Sequence, residues 1–157
     1  MFLVKDSSLS REERIKQFLA EDASLSALLA VIHFEWTIRR AIIALGTSPN
    51  VVVRVKLAKC HGLDKYKDVW RDEVFLNNLN EQRKVKRLPE VVKNWEGLGR
   101  AFRLRHRLVH GVTSCGIDYA TERVHWAIDA TNDVRMVCTE NNINLDARLP
   151  VRRCTQA

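Results

Sequence analysis

The residues with the clearest capacity for chemistry fall in eight consecutive positions, Leu104-Arg105-His106-Arg107-Leu108-Val109-His110-Gly111. Imidazole titrates near neutral pH and can move protons, and guanidinium offers a planar fork of donors that suits phosphate oxygens. Written on a helix, Leu98, Ala101, Phe102, Leu104, Leu108 and Val109 define one apolar arc about 160° wide. Arg105 points into the middle of that arc. His106 and His110 lie together just beside it, one turn apart, with Arg103 close by. A guanidinium on an apolar face must be paired or must face a wet cleft, because an unpaired buried charge costs several kcal/mol. Glu35 is the expected partner if the role is a structural salt bridge, although Arg39, four residues on, competes for it.

His106 and His110 also have the spacing of two zinc ligands on a helix. The metalloprotease pattern, however, needs Glu after the first His, and Arg107 stands there. Three arginines within five residues repel a dication, and no nearby Cys or Asp offers a third ligand. No resident metal and no cofactor are expected.

The charge of the chain converges on the same region. Its 26 Lys and Arg against 19 Asp and Glu give a formal net charge of +7 and a pI of about 9.5. Nine basic residues lie between Arg83 and Arg107: Arg83, Lys84, Lys86, Arg87, Lys93, Arg100, Arg103, Arg105 and Arg107. Only Glu90 and Glu96 oppose them, so 17 basic and 17 acidic residues remain for the rest of the chain. The net charge therefore belongs to one segment. A basic block in an otherwise neutral protein favours a polyanionic partner, nucleic acid above all, over a merely solvated face. Arg103, Arg107, Lys84, Lys86 and Arg87 are the candidate phosphate contacts, with a solvated basic loop as the alternative for Lys84, Lys86 and Arg87.

The elements that must hold these residues read as helices. Ser10, followed by Glu12 and Glu13, opens one that runs to about Leu19. A longer helix covers roughly Ser24 to Leu45 and stops at Gly46; apolar nearly all round, it is either central or carries an oligomer interface. Val51-Val52-Val53 is compatible with a strand, but Leu57 and Ala58 continue a helical period to Cys60, before Gly62. Asp64 can cap a short helix reaching Leu76 or Leu79. Asn77 to Leu88 reads as an exposed basic loop. Pro89 suits the first position of a helix ending at Val109 or His110, with a kink or close contact near Gly97 and a stop at Gly111. Asp118 or Thr121 caps the last long helix, which Asn141-Asn142 ends, and the tail beyond Leu145 is expected to be loose. The expected fold class is all-α: one domain, a bundle of five or six helices, with its core at about residues 10–142 and residues 143–157 as the tail.

At 157 residues and 46% apolar, the chain suits one sizeable core. No apolar run approaches the roughly 20 residues that span a bilayer. Met1 to Asp6 lacks a basic region leading into an apolar one, so no signal peptide is expected. The expectation is a cytoplasmic protein with no membrane partner. Cys60, Cys115, Cys138 and Cys154 include no C-x-x-C pair and read as reduced thiols, with Cys138 in the core.

The run Arg105-His106-Arg107-Leu108-Val109-His110-Gly111 resembles the R-x4-6-H signature of HEPN domains. An all-α chain of this length, with the motif near the end of its penultimate long helix, extends the resemblance from about Ser10 to Asn142. It implies a metal-independent endoribonuclease working as a symmetric homodimer on an RNA substrate, with Arg and His of both subunits meeting in one cleft. By position, Arg105 is the motif arginine, His106 the polar second residue and His110 the motif histidine. The implied products are a 2′,3′-cyclic phosphate and a 5′-OH. Many members of that family are toxins or antiviral defence effectors, some with a cognate antitoxin such as a minimal nucleotidyltransferase. Others are non-catalytic RNA- or nucleotide-binding modules or adaptors, and that alternative stays open. A small DNA-binding helical protein is a further alternative, although no helix-turn-helix spacing is evident near Gly97 or Gly111. His33, His61 and His125 match nothing in the motif and are expected to be structural or on the surface.

Overall fold

Local signals set most helix boundaries. The Ser7 hydroxyl accepts from the Ser10 N–H at 3.2 Å and opens α1, Ser8–Glu21. Asp22 then serves two helices: its N–H closes α1 on Phe18 O, and its carboxylate accepts from Leu25 N–H at 2.9 Å to open α2, Ala23–Leu45. The computed structural model describes residues 7–78 and 85–154 and contains no strand among them. The all-α expectation therefore holds. Beyond α2 come α3 (Asn50–Ala58), α4 (Leu63–Trp70, extended by a π-helical turn, Arg71–Phe75), α5 (Leu88–Val91), α6 (Trp95–Val109) and α7 (Ile117–Glu140). Among the described residues there are seven helices, one of them a single turn, against the five or six expected.

The chain forms two compact units, Met1–Trp36 with Asn94–Asn132, and Thr37–Lys93 with Asp133–Ala157, so α2 and α7 each contribute to both. In the first, Ile15 of α1, Ala30, Val31 and Phe34 of α2, Leu98 and Phe102 of α6, and Val124 and Ala127 of α7 are buried. Phe34 and Phe102 meet edge to face with centroids 5.9 Å apart, a favoured aromatic geometry. His33 is fully buried here, with its Nε2 3.3 Å from Ser8 Oγ, which fits the expected structural role.

In the second unit Ile38, Ile42 and Leu45 of α2 are buried, as are Val53, Tyr66, Trp70, Val74 and Leu88. Each such side chain contributes about 1.5–3 kcal/mol relative to exposure. Val51 and Val52 belong to α3 rather than to a strand, and both are exposed. The Trp70 indole N–H donates to Lys86 O at 2.9 Å, tying the residues just before α5 to α4. Cys138 is buried, as expected.

Several features depart from the sequence reading. Ser7 rather than Ser10 caps α1, Asp64 lies inside the first turn of α4 rather than at its cap, and α7 begins at Ile117, ahead of Asp118 and Thr121. The helix expected from Pro89 onward is broken after Val91, because Val92 turns extended (φ −81°, ψ 108°). Asn94 then starts α6 afresh by accepting from Gly97 N–H at 2.9 Å. Gly97 marks that cap rather than a kink: a Cβ there would lie 2.4 Å from the Asn94 amide. The segment expected to be loose beyond Leu145 is tied down at Arg152. Arg152 donates to Ser48 O at 2.9 Å and to Ile43 O at 2.6 Å, and Asn50 accepts from Arg152 N–H at 3.0 Å. Finally, Asn77 to Leu88 is not wholly exposed, since Asn78 and Leu88 are buried. No helix among the described residues is long and apolar enough to cross a membrane.

Candidate functional site

The last turn of α6 ends in a Schellman arrangement. Gly111 N–H donates to Leu108 O at 3.1 Å and Val112 N–H to Arg107 O at 2.9 Å, while Gly111 takes φ +64°. That left-handed conformation is the reason a glycine stands at this position. The cap fixes His110 as the residue that closes the helix, with its N–H on His106 O at 3.1 Å. Both histidines are exposed. Their rings stand 4.4 Å apart between centroids, tilted by 59°.

Arg105 and Glu35 meet, the pairing expected if Arg105 serves a structural salt bridge. Nη2 of Arg105 lies 2.6 Å from Glu35 Oε2, and the two side chains are 27% and 18% exposed. The Phe102 ring supports the guanidinium with its centroid 5.7 Å from Cζ. Arg105 Nε is buried with no acceptor. The pair sits at the boundary between core and solvent, where an ion pair is neither fully screened nor fully desolvated. Arg39, the expected competitor for Glu35, donates from Nε to the Tyr66 hydroxyl at 2.7 Å.

The apolar arc of α6 is buried over its first three turns only. Leu98, Ala101, Phe102 and Leu104 are buried, Leu108 is half-buried, and Val109 is 61% exposed. Val112 and Ile117, beyond the cap, are exposed as well. Val112 and Ile117 have no part in the sequence reading; an apolar residue on each side of the short polar turn Thr113-Ser114-Cys115-Gly116 is the available signal. Arg103 and Arg107 are exposed beside the histidines. The Arg103 guanidinium leans back along the helix, with Nη1 3.7 Å from the place a Cβ on Gly99 would occupy, the direction helical side chains favour.

Arg103, Arg105, His106, Arg107, His110 and Glu35 thus share the first unit. Lys86 and Arg87 are exposed residues of the second, where Arg87 N–H donates to Glu90 Oε2 at 3.2 Å and its guanidinium lies over the Phe75 ring. Lys84 and Arg83 lie outside the described residues. No three His, Cys, Asp or Glu side chains converge as a metal site among the described residues.

Chemically, the end of α6 offers two solvent-accessible imidazoles for proton transfer and a guanidinium oriented by a carboxylate and a ring. Comparison of the chain with protein-family models, with curated proteins and with solved structures finds no match.

Proposed function

We propose that the chain is a metal-independent endoribonuclease of the HEPN type, acting as a homodimer in which Arg105 and His110 carry the reaction. The observation that supports this most is the end of α6: exposed His106 and His110 rings 4.4 Å apart, on the same stretch of helix as a guanidinium tethered 2.6 Å from Glu35. A tethered guanidinium needs little further ordering to meet a phosphate, and that preorganisation is what electrostatic catalysis uses.

In this reading the RNA 2′-oxygen attacks the adjacent phosphorus. His110 takes the 2′-OH proton or supplies one to the departing 5′-oxygen, and His106 assists from the neighbouring turn. Arg105 donates to the non-bridging oxygens, whose charge grows in the transition state. The products are a 2′,3′-cyclic phosphate and a 5′-OH. Arg103 and Arg107 hold flanking phosphates, and Lys84, Lys86 and Arg87 add to non-specific affinity. A toxin or antiviral role in the cytoplasm, with a cognate antitoxin such as a minimal nucleotidyltransferase, belongs to the same proposal.

One observation favours the non-catalytic RNA- or nucleotide-binding alternative: Glu35 already occupies one prong of Arg105. A single experiment separates the two. Purified protein and a His110→Ala variant are incubated with RNA in EDTA, and the ends are mapped. Cleavage to cyclic phosphate, about 10²-fold slower or more in the variant, supports the enzyme. Binding without cleavage supports the alternative, and cleavage only with added divalent cation excludes the mechanism.

A further inference from the structure

We infer that His106 and His110 form a two-point chelate for a late divalent transition-metal ion, Zn2+ or Ni2+, whose binding shuts off the reaction proposed above. The site would be labile and inhibitory, with water completing the coordination shell. It is distinct from a resident cofactor site, which needs three or four protein ligands. Its consequence for cleavage rests on the ribonuclease reading; its existence does not.

Three features carry it. First, both imidazoles are exposed, so a metal ion can reach them without unfolding anything. Their centroids are 4.4 Å apart. Two nitrogens bound to one tetrahedral ion at 2.0–2.1 Å stand about 3.3 Å from each other, by the geometry of such sites. The ring centres, about 1.1 Å behind the bound nitrogens, then stand about 5 Å apart, a small opening from 4.4 Å that the broad terminal torsion of each ring allows. The helix presents both rings on one side, at i and i+4, and the Schellman cap keeps His110 in helical register.

Second, the repulsion expected from three arginines within five residues is weaker than their spacing suggests. Arg105 is neutralised at 2.6 Å by Glu35, and Arg103 directs its charge back toward Gly99. Arg107 remains as the local cation. Third, the rings lie at the C-terminal end of a 15-residue helix, where the carbonyl ends of the backbone dipoles favour positive charge.

Coordination uses one lone pair from each imidazole and breaks no bond in the protein. The coordinated nitrogen of His110 can no longer take up a proton, and the ion and its waters occupy the space in front of it. Imidazole pairs select late transition metals over Mg2+ and Ca2+, which prefer oxygen.

The test uses the full chain and ZnCl2 or NiCl2 as probes. Isothermal titration should show saturable binding by wild type and by His125→Ala. His106→Ala should bind at least about 10-fold more weakly, by the scale on which metal sites lose affinity when their shell is altered. MgCl2 should not bind detectably. Equal Zn2+ affinity in wild type and in the His106→Ala, His110→Ala double variant overturns the site, as does the absence of saturable binding. In parallel, ZnCl2 should stop RNA cleavage by wild type, and EDTA should restore it. Binding that requires both histidines, in a protein that never cleaves RNA, upholds the chelate and removes the ribonuclease reading. Cleavage unaffected by saturating Zn2+ overturns the inhibitory role.

Discussion

Nη2 of Arg105 stands 2.6 Å from Oε2 of Glu35, so a residue of α2 sets the orientation of the guanidinium that α6 presents. Removing the carboxylate leaves Arg105 half-buried beside the Phe102 ring without that partner. Glu35→Ala should therefore destabilise the protein by about 1–2 kcal/mol, between the values for exposed and fully buried pairs. Urea denaturation measures this. Cleavage should fall about 10-fold or more while RNA affinity changes little, because the loss is one of orientation. A Glu35→Ala variant with wild-type turnover would leave the pair with a purely structural role.

The basic segment before α5 should govern affinity more than turnover. Lys86 and Arg87 are exposed, and neither belongs to the end of α6. Replacing Arg83, Lys84, Lys86 and Arg87 with Gln should weaken RNA binding and flatten its salt dependence. Each lost phosphate contact removes about 0.7 from the logarithmic slope on single-stranded RNA. An unchanged slope would mark the segment as an ordinary solvated one.

Much of this was legible in the residues themselves. Arg105 in an apolar arc demands a counter-charge, and Glu35 is the only acid in the helix that α2 became. Gly111 announced the end of α6, because a left-handed cap position favours glycine. Other features depend on contacts that no local pattern carries. The tail looked loose because its anchor, Arg152, binds carbonyls of Ile43 and Ser48 more than a hundred positions earlier. The break before α6 rests on one side-chain bond from Asn94, which competes with a helical period that reads as continuous. Val51 and Val52 have strand-forming side chains, yet α3 forms around the burial of Val53 and Leu57.

Burial gives Cys138 a pH signature. Desolvation pushes its thiol from the ordinary 9.0 up to about 12. The unfolded chain therefore loses this proton first as pH rises. The stability linked to Cys138 is complete below pH 9 and lost progressively as pH approaches 12. One proton corresponds to about 1.4 kcal/mol per pH unit in that window. Unfolding free energies of wild type and Cys138→Ala should accordingly converge between pH 9 and pH 12. Parallel profiles would contradict the shift. In the folded protein at neutral pH, exposed Cys154 should react with a thiol reagent and buried Cys138 should not.

The active species should be a homodimer that joins the ends of two α6 helices. At 100° per residue Arg105 and His110 lie about 140° apart around the helix axis, so one chain does not aim both at the same phosphate. An isologous contact brings the same patch of two chains together and can set Arg105 of one beside His110 of the other. Val109 in the last turn of α6, and Val112 and Ile117 beyond it, are exposed, apolar surface that such a contact would cover. Introducing a charge at half-buried Leu108 risks unfolding the chain, so mixed subunits give the cleaner measurement. Dimers co-expressed with one wild-type chain and one Arg105→Ala, His110→Ala chain should lose most of their activity if the site is shared. Val112→Asp, at an exposed position, should shift sedimentation toward the monomer and lower activity in parallel. Half-activity from mixed dimers, or full activity from a sedimenting monomer, would mean that each chain works alone.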